Sequence, residues 1–421
     1  MHRKRLAAAV LLAATLTGAL APVAAARPSD PVRRQLDLLV DRDGVPGALS
    51  YDGKVTRTAG VADLVSGRRM PGAQGRFRLA SDTKAFTATA VMRLVAEGRV
   101  GLDDRAGTYV PQLAGSAITV RQLLKQTSGL PECTALVDWS EAGTPQEYLA
   151  LALGADPVFE PGEDWGYSNT NYLVLGMVID KASGVGFRTY VERTILRPLH
   201  LDDTYWPAPG ELTLRGPHAR NYGVNPAFPE AGFVDVTELP GYEFGASGGL
   251  VSTPEDLNAF WDGLFGGRLL PGRALRLMTQ DTTDIGGRDV YPAGSRYGYG
   301  VASVPLSCGG VYWGHGGDLP GGSVGGGRAT GGRGTVTVYP GGAHHVSPRR
   351  REVSAPLGAG AVPADRPVEL ARSRRALPVA GGSRVLREGS AGGPRGSAGR
   401  SPVTVTEHRL SDLSETLAAW R

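Results

Sequence analysis

A serine and a lysine stand three residues apart in the run Phe77-Arg78-Leu79-Ala80-Ser81-Asp82-Thr83-Lys84, which leads directly into an apolar helical segment. Positions i and i+3 share one face of an α-helix, so the Lys84 amine can reach the Ser81 hydroxyl. An amine buried at a helix N-terminus loses part of its preference for the charged form. A neutral amine beside a hydroxyl takes its proton and turns the oxygen into a nucleophile. A lone S-x-x-K also arises by chance, with the serine acting only as a helix cap. Residues further along the chain must therefore decide between the two.

Two further clusters do so. In Trp165-Gly166-Tyr167-Ser168-Asn169 the phenol of Tyr167 has an ordinary pKa of about 10. Beside an ammonium it ionises more easily and can relay protons. Asn169 both donates and accepts, which suits a substrate amide. In Trp313-Gly314-His315-Gly316-Gly317-Asp318 the glycines let a substrate backbone approach and leave N–H groups for an oxyanion. Singly, Tyr167 reads as a packing residue and His315 as an ordinary strand histidine. Occurring in this order, each at the boundary of an element, the three clusters point to acyl transfer through serine.

The elements that must position them can be read from periodicity. Gly47–Tyr51 and Lys54–Thr58 form a hairpin around Asp52-Gly53. The helix after Ser81 runs to about Glu97 with an apolar face of Phe86, Ala90, Val91, Leu94 and Val95, and Gly98 stops it. Thr119 and Gln122 form a capping box, and a third helix spans Asn171 to Ala182. Thr253 caps a fourth helix, with Pro254 at its first position and Leu257, Phe260, Trp261 and Leu264 on one stripe. Strand-like runs return at Tyr299–Leu306, Val311–His315 and Thr335–Tyr339. Strands from the two ends must then share one sheet, with a helical block inserted between them.

The set Ser81/Lys84, Tyr167/Asn169 and His315/Gly317 resembles the penicillin-recognising serine hydrolases. These include class C β-lactamases, serine D-alanyl-D-alanine carboxypeptidases, D-aminopeptidases and related esterases, with the motif order S-x-x-K, Y-x-N and H-x-G. The resemblance covers about residues 45–340. It implies a β-lactamase/transpeptidase-like α/β (α+β) fold over 27–340, an antiparallel sheet flanked by helices. The α/β part is built from about 30–90 plus 245–340, and a mainly helical part from about 91–244. It also implies that Ser81 attacks a carbonyl, that Lys84 and Tyr167 share the proton work, and that the backbone N–H groups of Ser81 and Asp318 receive the oxyanion. Asn169, His315, Gly316, Gly317 and Asp318 would bind the substrate. No metal or organic cofactor is implied. The expected activity is that of a D-alanyl-D-alanine carboxypeptidase on peptidoglycan peptides. β-Lactamase, D-aminopeptidase and esterase are rivals within the same chemistry, and a penicillin-binding sensor without turnover or an inactive product stands outside it. The expected partners are a small peptide, β-lactam or ester, and a monomer is expected. Gly316 and Asp318 depart from the pattern: carboxypeptidase-like members often place hydroxyl residues there to hold the substrate carboxylate.

The rest of the chain sets the context. His2-Arg3-Lys4-Arg5, an apolar run from Leu6 to Leu20 and Ala24-Ala25-Ala26 read as a signal peptide over 1–26, so secretion to the cell envelope is expected, with no membrane span once it is removed. Only two cysteines remain, Cys133 and Cys308, and their pairing is left open. In relatives a cysteine placed like Cys308 pairs with one in the terminal helix, but no cysteine follows Cys308. Residues 341–400 carry 11 Arg against 4 acidic residues, and 44 of these residues are Gly, Ala, Arg, Pro or Ser. The overall charge of +4 thus reports a basic tail and leader around an acidic body, and no specific nucleic-acid binding is expected. The low-complexity tail over 341–421 falls where the family places a closing amphipathic helix; it reads either as a disordered basic tail or, the preferred expectation, as the product of a reading-frame change near Tyr339–Ala343, and Leu410, Leu413, Leu417 and Trp420 at helical spacing are the candidates to replace that helix.

Overall fold

The computed structural model describes residues 30–137, 143–224, 232–238, 244–288, 291–307 and 309–330, and the backbone of 335–341. The expected leader, Cys308, and the tail beyond 341 with its Leu410–Trp420 helical spacing lie outside the described residues.

An eight-stranded antiparallel sheet forms the framework. Its strands are β1 (Gly47–Tyr51), β2 (Thr56–Gly60), and six late ones. β3 (Phe77–Arg78), β4 (Tyr222–Val224), β5 (Phe233–Asp235) and β6 (Val251–Ser252) pair elsewhere, in two small sheets. The late strands are β7 (Thr283–Asp284), β8 (Arg296–Tyr297), β9 (Ala302–Pro305), β10 (Val311–Leu319), β11 (Gly322–Ala329) and β12 (Thr335–Gly341). The order is β2-β1-β12-β11-β10-β9-β8-β7, so the first hairpin and the last strand meet, with Leu49 opposite Tyr339.

Helices cover the sheet and fill the middle of the chain. α1 (Pro31–Asp41) packs on β1 and β2, and α2 (Thr83–Ala96) comes after a 3-10 turn over Ala80–Asp82. α3 (Val120–Lys125), α4 (Pro145–Leu153), α5 (Asn169–Ser183), α6 (Phe187–Val191) and α7 (Arg197–Leu199) make the inserted helical part. α8 (Gly245–Gly248), α9 (Pro254–Phe265) and α10 (Gly272–Gln280) return the chain to the sheet. Among the described residues no helix is long and apolar enough to cross a membrane.

The caps read from sequence are present: Thr119 and Gln122 bond reciprocally, and the Thr253 hydroxyl accepts from Asp256 N–H. Three features differ from the expectation. First, the second hairpin strand starts at Thr56, because the Asp52 carboxylate accepts from the N–H groups of Lys54 and Val55 at 2.8 and 2.7 Å and holds both in the turn. Second, α2 is buried all round rather than on one face, with every residue from Thr83 to Met92 inaccessible. Its Thr87 and Thr89 hydroxyls tolerate this by donating to the carbonyls of Ala246 and Ala85, both at 2.7 Å. Third, β10 runs on to Leu319, so His315–Asp318 lies inside a strand and not at its end, and it pairs with β11. The glycine-rich β11, with Gly325, Gly326 and Gly327 in sequence, carries no strand signature. Its glycines admit close neighbours: a Cβ on Gly327 would stand 2.3 Å from the Trp313 carbonyl oxygen.

Candidate active site

The Ser81 turn is presented under backbone strain. Ala80, directly before it, has φ 45°, a left-handed conformation that costs a non-glycine residue about 1–2 kcal/mol. Ser81 does not cap α2; its Oγ accepts from Lys84 Nζ at 2.9 Å. Lys84 is itself fully buried, and Nζ also donates to Asn169 Oδ1 at 2.6 Å and to the Ser247 carbonyl at 2.8 Å. The ammonium stands 5.0 Å from the centre of the Tyr167 ring and 5.6 Å from that of Tyr172. The structure therefore gathers Ser81, Lys84, Tyr167 and Asn169 around one point.

Asn169 was expected to meet the substrate; its side chain is spent inside the protein. While Oδ1 accepts from Lys84, Nδ2 donates to both carboxylate oxygens of Glu132 at 3.2 Å, and the Asn169 N–H donates to Glu132 at 2.6 Å. Glu132 carried no signal in the sequence, since it lies in a loop without a partner at helical or strand spacing. The same loop locks the segment bearing Tyr167. The Pro131 carbonyl accepts from Ser168 Oγ and Thr170 Oγ1 at 3.0 and 2.6 Å. Gln126 supplies its carbonyl to Gly166 N–H at 3.0 Å and its side-chain oxygen to Ser168 N–H at 3.1 Å. Tyr167 is thus held from both sides by residues 126–132.

The third cluster enters through β10. Gly317 is pressed against the nucleophile turn, where a Cβ would stand 2.1 Å from the Leu79 carbonyl oxygen and 2.9 Å from the Ser81 nitrogen. Gly316 is half-buried and Asp318 exposed on the opposite pleat. His315 departs from the expected substrate contact. Its ring is buried, with Nε2 accepting from the Tyr297 hydroxyl at 3.1 Å and Nδ1 donating to the Gly316 carbonyl. Burial, reinforced by the charge of Lys84, lowers the imidazole to about 3 and keeps it neutral. His315 shares the pleat of Gly317, and its ring centre stands 6.3 Å from that of Tyr167.

A cleft of about 480 Å³ adjoins this centre, lined by Leu130, Glu132, Val158, Phe159, Trp165, Gly166, Tyr167 and Arg288. Ser81 is not part of its wall; Tyr167 joins the two directly, and Glu132 does so through Asn169. Most of the lining is apolar or aromatic, with one acid and one base. Arg288 donates to Asp164 at 2.5 Å and to the Trp165 carbonyl at 3.2 Å. Glu132 makes no ion pair among the described residues. Cys133 beside it is a buried free thiol, which burial pushes up to about 12.

A family model described as Beta-lactamase matches residues 32–340, most of the chain. The chain belongs to the Beta-lactamase family. It is similar to a solved D-stereospecific amidohydrolase from Streptomyces sp., with 34% identity over 75% of this chain and 94% of that one, at a TM-score of 0.66. It is also similar to the D-amino acid amidase from Ochrobactrum anthropi SV3, with 27% identity over 73% and 89% of the two chains and a TM-score of 0.63. Protein flp of Staphylococcus aureus is 27% identical over 53% of this chain, and the match spans only 44% of that protein's length. The fold is therefore the β-lactamase/transpeptidase-like one, and the chain is a family serine hydrolase.

Proposed function

We propose that this family member is a secreted serine amidohydrolase of the aminopeptidase or amidase kind, cutting small amides whose acyl residue has a free amino group. The observation that carries the reading is Glu132. It stands on the cleft wall next to Lys84's partner Asn169, and its carboxylate, held by the N–H groups of Thr134 and Asn169, is left without an ion-pair partner among the described residues. A substrate ammonium would supply that partner. The apolar walls from Leu130, Phe159 and Trp165 suit a large side chain on the same residue. The likeness to a D-stereospecific amidohydrolase and a D-amino acid amidase favours the D-configuration.

In this reading Ser81 Oγ attacks the amide carbonyl while its proton passes to the Lys84–Tyr167 pair. The same proton then goes to the departing amine, and water later resolves the acyl-Ser81 ester. The N–H groups of Ser81 and Asp318 receive the oxyanion, which the close approach of Gly317 to the Ser81 nitrogen supports. The carboxypeptidase expected from the sequence becomes the second reading. The exposed carboxylate of Asp318, next to Gly317, disfavours a substrate carboxylate, and Arg288 on the cleft wall is the one observation that favours it.

The test compares hydrolysis of D-phenylalanine amide, its L-isomer and its N-acetyl derivative by wild type, Ser81→Ala and Glu132→Gln. Acetylation should cost wild type about 10–100-fold in kcat/KM, the worth of a charged hydrogen bond, and cost Glu132→Gln almost nothing. Indifference of wild type to acetylation, with release of D-alanine from an acyl-D-alanyl-D-alanine peptide, would replace this reading with the carboxypeptidase.

A further inference from the structure

Asp82 lies between the nucleophile and the helix, and the chemistry above makes no use of it. Its side chain is 0% exposed. Neither carboxyl oxygen has a hydrogen-bond partner among the described residues. It occupies the N-cap position of α2, yet its side chain caps nothing. An ionised carboxylate in that place would lose its hydration with nothing in return.

The surroundings offer no relief. From α2, Lys84 is near, but Nζ directs hydrogen bonds to Ser81, Asn169 and Ser247. From β10 come Asp318, which repels an anion, the neutral His315, and Tyr312, whose phenol burial pushes up. From β11 the titratable side chain is Arg328, at the end opposite Trp313 and directed to Asp262 at 3.9 Å. α8 carries no titratable residue. Burial first, then Asp318, therefore raises the Asp82 carboxyl well above the usual range, against the opposing pull of Lys84.

We propose that Asp82 is a positioning residue that keeps its proton through the catalytic cycle, so that the turn presenting Ser81 holds no anion. Two consequences make this matter for the reaction. An anion two residues from Lys84 would stabilise its ammonium and deprive Ser81 of a base. The same anion beneath the Ser81 N–H would repel the negative charge that forms on the substrate oxygen. A neutral acid avoids both. The proposal rests on Ser81 and Lys84 being the reacting pair, whichever amide is cut.

The test uses the full chain and Asp82→Asn, which has the same shape and no charge at any pH. At pH 7 the infrared spectrum of wild type should contain the C=O stretch of a protonated carboxylic acid that Asp82→Asn lacks. This readout needs no substrate, so it stands apart from the choice of activity. At pH 7 the kcat/KM of Asp82→Asn should stay within about 3-fold of wild type, and the acidic limbs of the two pH profiles should coincide, because neither protein places an anion beside Lys84. The thermal midpoint of Asp82→Asn should exceed that of wild type at pH 8. The difference should shrink toward pH 4, where the unfolded wild-type chain also protonates Asp82. If Asp82→Asn fails to fold, Asp82→Thr takes its place in the spectrum. The proposal is overturned if the acid band is absent from the difference spectrum, if folded Asp82→Asn loses about 100-fold or more at pH 7, or if the acidic limb of its profile moves down by about a pH unit or more.

Discussion

Two walls close on Ser81, and they are built by opposite means. The helical wall consists of side chains that hold one another. Lys84, Asn169 and Glu132 form a hydrogen-bonded chain, and Gln126 and Pro131 lock the Tyr167 segment behind it. The sheet wall consists of backbone that comes close because a side chain is missing, with Gly317 against the Ser81 nitrogen. Proton transfer needs groups that titrate and so falls to the first wall. Oxyanion binding needs only N–H groups, so the second wall can be glycine. Damage to the first wall should therefore show in rate and pH dependence, and damage to the second in geometry.

The largest expected effect tests the first wall. Ser81→Ala and Lys84→Ala should each lower kcat/KM by about 10³-fold or more without loss of cooperative melting, measured with the amide that wild type turns over. Comparable activity in either variant would remove the reacting pair from this site. Next comes the second wall. Gly317→Ala forces a methyl to 2.1 Å from the Leu79 carbonyl oxygen, and should cost about 1–3 kcal/mol of stability and about 100-fold in rate. A loss of stability alone, with kcat intact, would show that the strand is not holding the oxyanion site.

His315 sharpens the comparison because it titrates yet belongs to the sheet wall. Burial holds its folded pKa at about 3, below the ordinary 6.5. Between those values the unfolded chain binds the proton and the folded chain does not. Stability is then complete above about pH 6.5 and falls on acidification toward pH 3, by at most about 1.4 kcal/mol per pH unit. Denaturant midpoints from pH 7 to 4 should show this slope, and His315→Asn should flatten it. The smallest effect lies away from both walls. The Thr144 hydroxyl caps α4 in a capping box with Glu147, so Thr144→Ala should cost about 1 kcal/mol and leave kcat unchanged.

The helical wall was the more legible of the two in the sequence, though only in part. Ser81, Lys84, Tyr167 and Asn169 are reactive types at short spacings, and the structure brings them together. Glu132 escaped because its partner lies 37 positions away, a contact that only the fold creates. Gln126 escaped for the same reason. On the sheet wall the glycines of β10 stood out, while β11 did not, because a strand without side chains has no alternation to read. For Asn169 and His315 the sequence did not show which partners the fold would supply. Both types can meet a substrate, but each has its polar atoms taken up by neighbours within the fold.

What the sequence determined by itself was local: the i,i+3 pair at a helix start and the caps at Thr119 and Thr253. These arise from periodicity and from hydrogen bonds within four residues. What only the tertiary structure decided was which way each polar group faces. It turned the Asn169 amide inward and, among the described residues, left both Asp82 oxygens without a hydrogen-bond partner and Glu132 on a cleft wall without an ion pair. The physical reason is that burial and charge balance are properties of the space around an atom, and that space is enclosed by residues far apart along the chain.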